Sequence, residues 1–285
     1  MTVADSGSIS LGGKTVHRLG FGAMRITGTG VWGPPRDRDE AIRVLREAVR
    51  LGVTFIDTAD SYGPEVSEEL IREALHDGRG YGAVVVATKG GFTRPGPGQW
   101  VARGDAGYLR QCLEGSLRRL GVDTIDLWQL HRIDSRTPRA EQFAALRSFL
   151  DEGLVTQVGL SEVDIEDVRE AQAAGVPIAS VQNRYNLGDR RAEQLLDFCT
   201  EQGIAFIPWA PVDAGALARP GGPLDRVAAA HPGVTTGQLA LAWLLRRSPV
   251  MVPIPGTSSV AHLTENLKAA DVHLTDEEFA SLTAA

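Results

Sequence analysis

The sequence predicts a (β/α)8 barrel, the TIM-barrel fold, preceded by a short β-hairpin, and three observations carry that expectation. Eight short apolar runs alternate with helical segments between residues 19 and 255, the rhythm of repeated βαβ crossovers. Helical segments run into glycine at Leu51-Gly52, Leu120-Gly121, Ala174-Gly175 and Gln202-Gly203, where a left-handed cap stops a helix at little steric cost. The apolar runs are continuous, as in strands covered on both faces. The competing architecture is a doubly wound open sheet, and no GxGxxG turn joins an early strand directly to a helix here.

Taken in order, residues 1–8 are polar and SISLGGKTVH reads as a hairpin turning at Gly12-Gly13. The first barrel strand follows at Leu19–Gly22, then a Gly/Pro-rich loop, RITGTGVWGPPRDR. A helix at Asp39–Leu51 leads to the strand VTFID, one around Ser67–Leu75 to AVVVATK, and one at Tyr108–Leu120 to TIDLWQL. Helices at Arg139–Leu150, Ile165–Ala174 and Arg191–Glu201 precede VTQVGL, IASVQ and IAFIPW, and a longer helical region precedes MVPIP.

The 285 residues are most simply one domain, residues 1–285, and 43% hydrophobic with 23% charged composition is that of a globular chain. A formal charge of −7 gives no electrostatic reason to expect nucleic acid or an anionic membrane as partner. Cys112 and Cys199 form no CxxC, and no signal core or membrane-length apolar run is present, so the expected location is cytoplasmic. The six histidines include no HxH or HExxH pair, and no metal site is expected.

Barrels gather polar residues from strand C-termini at one mouth. Asp57, Lys89 and His131 end the second, third and fourth strands, and Ser161, Gln182 and Trp209 end later ones. Lysine occurs only at positions 14, 89 and 268, so Lys89 at the end of an apolar strand stands out. Tyr62 follows Asp57 in FIDTADSYG; an ammonium beside a phenol favours the phenolate, and a carboxylate can hold that ammonium. Each residue also has a structural reading: a turn for Asp57, a rim aromatic for Tyr62, a buried ion pair for Lys89, a polar core residue for His131. Late in the chain, Gly256, Thr257 and Ser258 precede a helix whose start can receive phosphate or be capped by hydroxyls.

Taken together, LGFGAM, FIDTADSYG, VVVATKGG, IDLWQLHR, VGLSEV, VQNRYN, IPGTSS and ENLKAA resemble the aldo-keto reductase family, especially its bacterial members. The resemblance implies NADPH-dependent reduction of an aldehyde or ketone, with NADH as the competing cofactor. Tyr62 would donate the proton, Asp57 and Lys89 would tune it, and His131 would orient the carbonyl. It further implies that Trp209 stacks on the nicotinamide, that Ser161 and Gln182 bond its carboxamide, and that Gly22, Ala23, Met24, Asp57 and Pro211 lie along the cofactor. Glu162 stands where the family carries Asn, keeping an acceptor and losing an amide donor. Gly256, Thr257 and Ser258 match the start of the adenosine-phosphate segment, and Glu265 and Asn266 its adenine-side pair. Gly256 replaces a lysine found in some members, and His262 an arginine, which weakens the expected hold on a 2′-phosphate. Met24, Trp32, Tyr62, Trp100 and His131 are the expected substrate-side residues, while Trp128 is assigned to strand packing. Two rival functions are a Schiff-base enzyme using Lys89 and a nicotinamide-binding regulatory subunit without turnover.

Overall fold

A computed structural model describes residues 3–213 and 220–284. β1 (Ser8–Leu11) and β2 (Lys14–His17) pair antiparallel. Gly12 and Gly13 between them have φ of 66° and 74°, the left-handed pair that a two-residue hairpin turn needs. The hairpin closes the N-terminal end of the barrel. Its Leu11 and Val16 pack with the inward residues Phe55, Val85, Ala87, Leu127, Ala205, Ile207, Val252 and Ile254. The Gly12 N–H donates to Gln157 Oε1 at 2.6 Å, and a Cβ on Gly12 would lie 2.8 Å from Val85 Cγ1.

Seven parallel strands form the curled sheet: β3 (Phe21–Gly22), β4 (Phe55–Asp57), β5 (Val85–Gly90), β8 (Ile125–Leu130), β9 (Val155–Ser161), β10 (Ile178–Gln182) and β11 (Ala205–Phe206), neighbours in that order. A small antiparallel pair, β6 (Phe92–Thr93) and β7 (Val101–Ala102), rises over the mouth. The eighth stave is the extended run at 250–255. Phe206 N–H donates to Val250 O at 2.9 Å and Val252 N–H to Phe206 O at 2.8 Å, while on the other side Gly20 N–H reaches Pro253 O at 2.9 Å. Pro253 and Pro255 have no N–H to give back, so MVPIP closes the barrel without forming a regular ladder strand. Pro208 likewise helps shorten the expected strand IAFIPW to its first residues.

Ten helices are described: α1 (Arg38–Arg50), α2 (Val66–Leu75), α3 (Ala106–Leu120), α4 (Arg139–Asp151), α5 (Ile165–Ala173), α6 (Glu193–Gln202), α7 (Pro223–Ala228), α8 (Thr236–Arg247), α9 (Val260–Leu267) and α10 (Asp276–Thr283). Their starts follow capping chemistry. Asp37 and Asp105 accept from backbone N–H groups of α1 and α3, which begin slightly earlier than the sequence pattern suggested. Gly121 and Gly203 are left-handed C-caps, whereas Gly52 and Gly175 lie one residue past theirs. Trp128 is fully buried and meets Phe149 edge-on at 5.5 Å, so it packs β8 against α4.

The spacing G-x-G-x-x-G does occur, at Gly28, Gly30 and Gly33. It lies well past β3 and runs into Pro34-Pro35, and its Trp32 bridges to Gly63, so it is a mouth loop and not a strand-to-helix phosphate turn.

Candidate active site

The inward faces change character along each strand. Phe55, Val85, Ala87 and Leu127 fill the lower barrel, and the next inward positions are Asp57, Lys89 and Gln129, followed by His131 just beyond β8. Because successive inward residues are two apart, a polar layer sits directly on an apolar one.

Lys89 is fully buried. Its ammonium donates to Asp57 Oδ1 at 2.6 Å, Thr58 O at 2.7 Å and Tyr62 Oη at 3.4 Å, which uses all three of its N–H bonds. Asp57 Oδ2 accepts from Gln182 Nε2 at 2.9 Å and Gln129 Nε2 at 3.1 Å. Gln129 Oε1 in turn accepts from Ser180 Oγ at 3.4 Å. That arrangement needs Gly159, since a Cβ there would fall 2.1 Å from Ser180 Oγ and 3.1 Å from Gln129 Cγ.

Burial is the largest influence on Tyr62 and pushes its phenol above the ordinary 10.0, opposed by the Lys89 ammonium and reinforced by Asp57. The net direction therefore corrects the expectation of a lowered tyrosine: Lys89 does pull the value down, and the dry site outweighs it. Burial also works against charge on Lys89, but Asp57 and then Tyr62 overcome it and hold the amine above its ordinary value. Lys89 is thus a cation.

His131 sits with Nδ1 3.3 Å from Ser61 Oγ. Burial, then Lys89, Arg132 and Arg94, hold its pKa well below the ordinary 6.5, so the imidazole is neutral and keeps one N–H donor. Three rings make T-shaped contacts with it: Phe92 at 4.6 Å, Tyr62 at 5.9 Å and Trp100 at 6.2 Å between ring centroids. Trp32 and Trp100 are half-buried on the same side, and Met24 is exposed at the rim.

On the other side, Ser161 Oγ accepts from Arg132 Nη1 at 2.9 Å. Gln182 turns its amide to Asp57, as described, and not to an open acceptor site. Glu162 Oε1 accepts from Trp209 Nε1 at 2.5 Å and from Arg184 N–H at 2.7 Å. Glu162 holds φ of 55°, a left-handed conformation that asparagine tolerates better than glutamate; its acceptor role is what the local contacts use. Pro211 is buried beside this loop.

The last site segment adjoins the first strand. A Cβ on Gly256 would lie 2.6 Å from Gly22 O and 3.5 Å from Arg25 Cγ, so Gly256 permits close backbone approach and leaves Arg25 as the neighbouring cation. Ala23 is buried, and Thr257 Oγ1 accepts from Ser259 N–H at 3.1 Å while Ser258 is exposed. The first N–H of α9, from Val260, goes to Glu40 Oε1 at 3.1 Å. That helix start accepts an anionic oxygen, the chemistry a phosphate group needs. His262 and Glu265 are exposed on α9 and Asn266 is half-buried.

Sequence reasoning missed Gln129, Ser61, Arg94, Arg132 and Phe92. Gln129 had a signal, since it lies two residues before His131 on the same strand face; Phe92 on β6 and the loop residues Ser61, Arg94 and Arg132 have a reach that only the fold reveals.

Asp60, two residues before Tyr62, is buried with Oδ1 lacking a partner. Burial, then Glu68, raises its pKa from 3.8 to about 7. A raised folded value means its favourable protonation is fully present below 3.8 and is lost as pH rises through about 7. Asp60→Asn is therefore expected to stabilise the protein at pH 8 by about 1–3 kcal/mol and to change little at pH 4. Urea unfolding at the two pH values checks this; equal effects at both would contradict it.

With the geometry in hand, comparison with known proteins is decisive: the aldo/keto reductase family model matches residues 18–285. The chain belongs to the aldo/keto reductase family. It is 42% identical over 285 residues to pyridoxine 4-dehydrogenase of Escherichia coli, covering 98% of each chain. A thermostable aldo-keto reductase crystallised with the inhibitor epalrestat superposes with a TM-score of 0.84 at 31% identity, covering 97% of this chain and 98% of that one. An aldo-keto reductase from Klebsiella pneumoniae in complex with NADPH gives 0.79 at 26% identity, covering 97% and 94%. For this aldo/keto reductase, the closed stave at 250–255 and the polar layer above the apolar plug are the features that set the mouth.

Proposed function

We propose that this aldo/keto reductase reduces an aldehyde or ketone to an alcohol with NADPH, Tyr62 being the proton donor. The carrying observation is that Lys89 Nζ bonds both Asp57 at 2.6 Å and Tyr62 Oη at 3.4 Å beside a neutral, buried His131.

A bound NADPH would supply the hydride for the carbonyl carbon. Trp209, Ser161 and Glu162 form the face that would hold the nicotinamide, and Gly256 to Val260 with Arg25 would hold the adenosine phosphates. The Tyr62 phenol, kept protonated by burial, gives its proton from Oη to the developing alkoxide. Lys89 steadies the negative charge left on Tyr62, while the His131 N–H orients and polarises the carbonyl oxygen. Asp57, fixed by Gln129 and Gln182, keeps Lys89 in place. Because Lys89 is held as a cation by Asp57, it is poorly suited to Schiff-base attack, which needs the free amine.

The 42% identical relative is named for oxidising pyridoxine, so pyridoxine and its 4-aldehyde are the first pair to assay. Titration of tryptophan emission is expected to show tighter binding of NADPH than NADH, followed by NADPH oxidation with the aldehyde. Equal or tighter NADH binding would overturn the cofactor preference. Cofactor binding without turnover of any carbonyl would favour the regulatory reading.

A further inference from the structure

Arg94 belongs to the Gly/Pro-rich stretch RPGPGQW between β6 and β7. Its Nη1 donates to Ser61 O at 2.5 Å and its Nε to Gln99 O at 2.9 Å. The first bond grips the residue before Tyr62, the second the residue before Trp100. Its guanidinium carbon lies 3.5 Å from the Trp100 ring centroid and 5.5 Å from that of Trp32. No carboxylate within ion-pair distance is found for it among the described residues, and Nη2 is shielded without a hydrogen-bond partner. Its charge is answered by ring faces and carbonyl oxygens.

Trp100 then meets Tyr62 at 6.3 Å and His131 at 6.2 Å between ring centroids, both in T-shaped contacts. The Trp32 loop is tied to the same place, since Gly33 N–H donates to Gly63 O at 2.7 Å. Three mouth segments thus meet at one cation.

We propose that Arg94 is a positioning residue that locks Trp100 against Tyr62 and His131, making Trp100 a fixed aromatic wall that selects flat aromatic carbonyls over small aliphatic ones. This rests on the reductase reading for its selectivity, and on geometry alone for the lock. A guanidinium suits the task because its planar fork bonds two carbonyls while its face stacks on a ring, which an ammonium cannot do.

The test uses Arg94→Met and Arg94→Lys in the full chain, alone and with Trp100→Leu. Without any substrate, acrylamide quenching of tryptophan emission is expected to rise in Arg94→Met, and that rise to vanish when Trp100 is replaced. With NADPH, Arg94→Met is expected to raise KM for benzaldehyde about tenfold, the effect of losing a desolvated stack, with kcat and the KM for propanal changed by less than about twofold. In the Trp100→Leu background the same substitution is expected to add less than about twofold, because the pair acts as one unit. Arg94→Lys is expected not to restore KM. Unchanged quenching would overturn the lock, whatever the activity. Additive effects in the cycle, or equal losses for both aldehydes, would overturn the selectivity. A parent protein that turns over no carbonyl would instead refute the reductase reading, and the quenching result would still decide whether Arg94 holds Trp100.

Discussion

Tyr62→Phe is expected to lower single-turnover carbonyl reduction by about 10²–10⁴, the range for loss of a positioned general acid, while NADPH binding changes little. Phenylalanine keeps the ring that packs against Trp100 and His131 and removes only Oη, so folding is not the variable. Stopped-flow oxidation of bound NADPH separates the chemical step from release. The wild-type pH profile follows from the same groups. Tyr62 is held above the ordinary 10.0 and so remains a donor throughout the neutral range, and His131 is held well below 6.5, so no inflection from it is expected near 6.5. An inflection there that disappears in His131→Gln would show an imidazole titrating where the burial argument keeps it neutral.

Lys89→Met has the other large effect, on stability as well as rate. The ammonium is fully buried against Asp57, and removing one member of a buried pair strands its partner at a cost of roughly 3–5 kcal/mol. Urea denaturation at neutral pH measures it. Asp57→Asn combined with Lys89→Met takes away both charges and is expected to recover much of that loss, since Gln129 and Gln182 surround the same position. Reduction is not expected to return in the double variant, because the phenolate left on Tyr62 has lost its cation. Recovery of stability with recovery of rate would contradict a catalytic role for Lys89, and failure to recover stability would locate the damage in packing around the lysine stem.

The barrel was legible because continuous apolar runs and glycine caps report strands and helix ends directly. It was less legible at the eighth stave, where Pro253 and Pro255 close the sheet by accepting hydrogen bonds without donating them. Asp57, Lys89 and His131 announced themselves as polar residues at strand ends, and Lys89 also by the scarcity of lysine. Local pattern does not encode what those residues meet. The support of Asp57 by Gln129 and Gln182 depends on the missing side chain at Gly159. The upward push on Tyr62 depends on how thoroughly the loops bury it. The GxGxxG spacing at Gly28 to Gly33 shows the converse: a short motif has meaning only where a strand and helix flank it. Glu162 is intermediate, because its departure from the family residue was visible, yet its bonds to Trp209 and Arg184 N–H required the folded loop.

The most direct test of the central claim is the fate of a deuterium label. The aldehyde reduced with NADPH carrying deuterium at the transferable position of the nicotinamide is expected to yield alcohol with one deuterium on the carbinol carbon, and Tyr62→Phe to form that product at a small fraction of the rate. Alcohol formed without deuterium, or labelled product at an undiminished rate in Tyr62→Phe, would contradict hydride transfer coupled to proton donation by Tyr62.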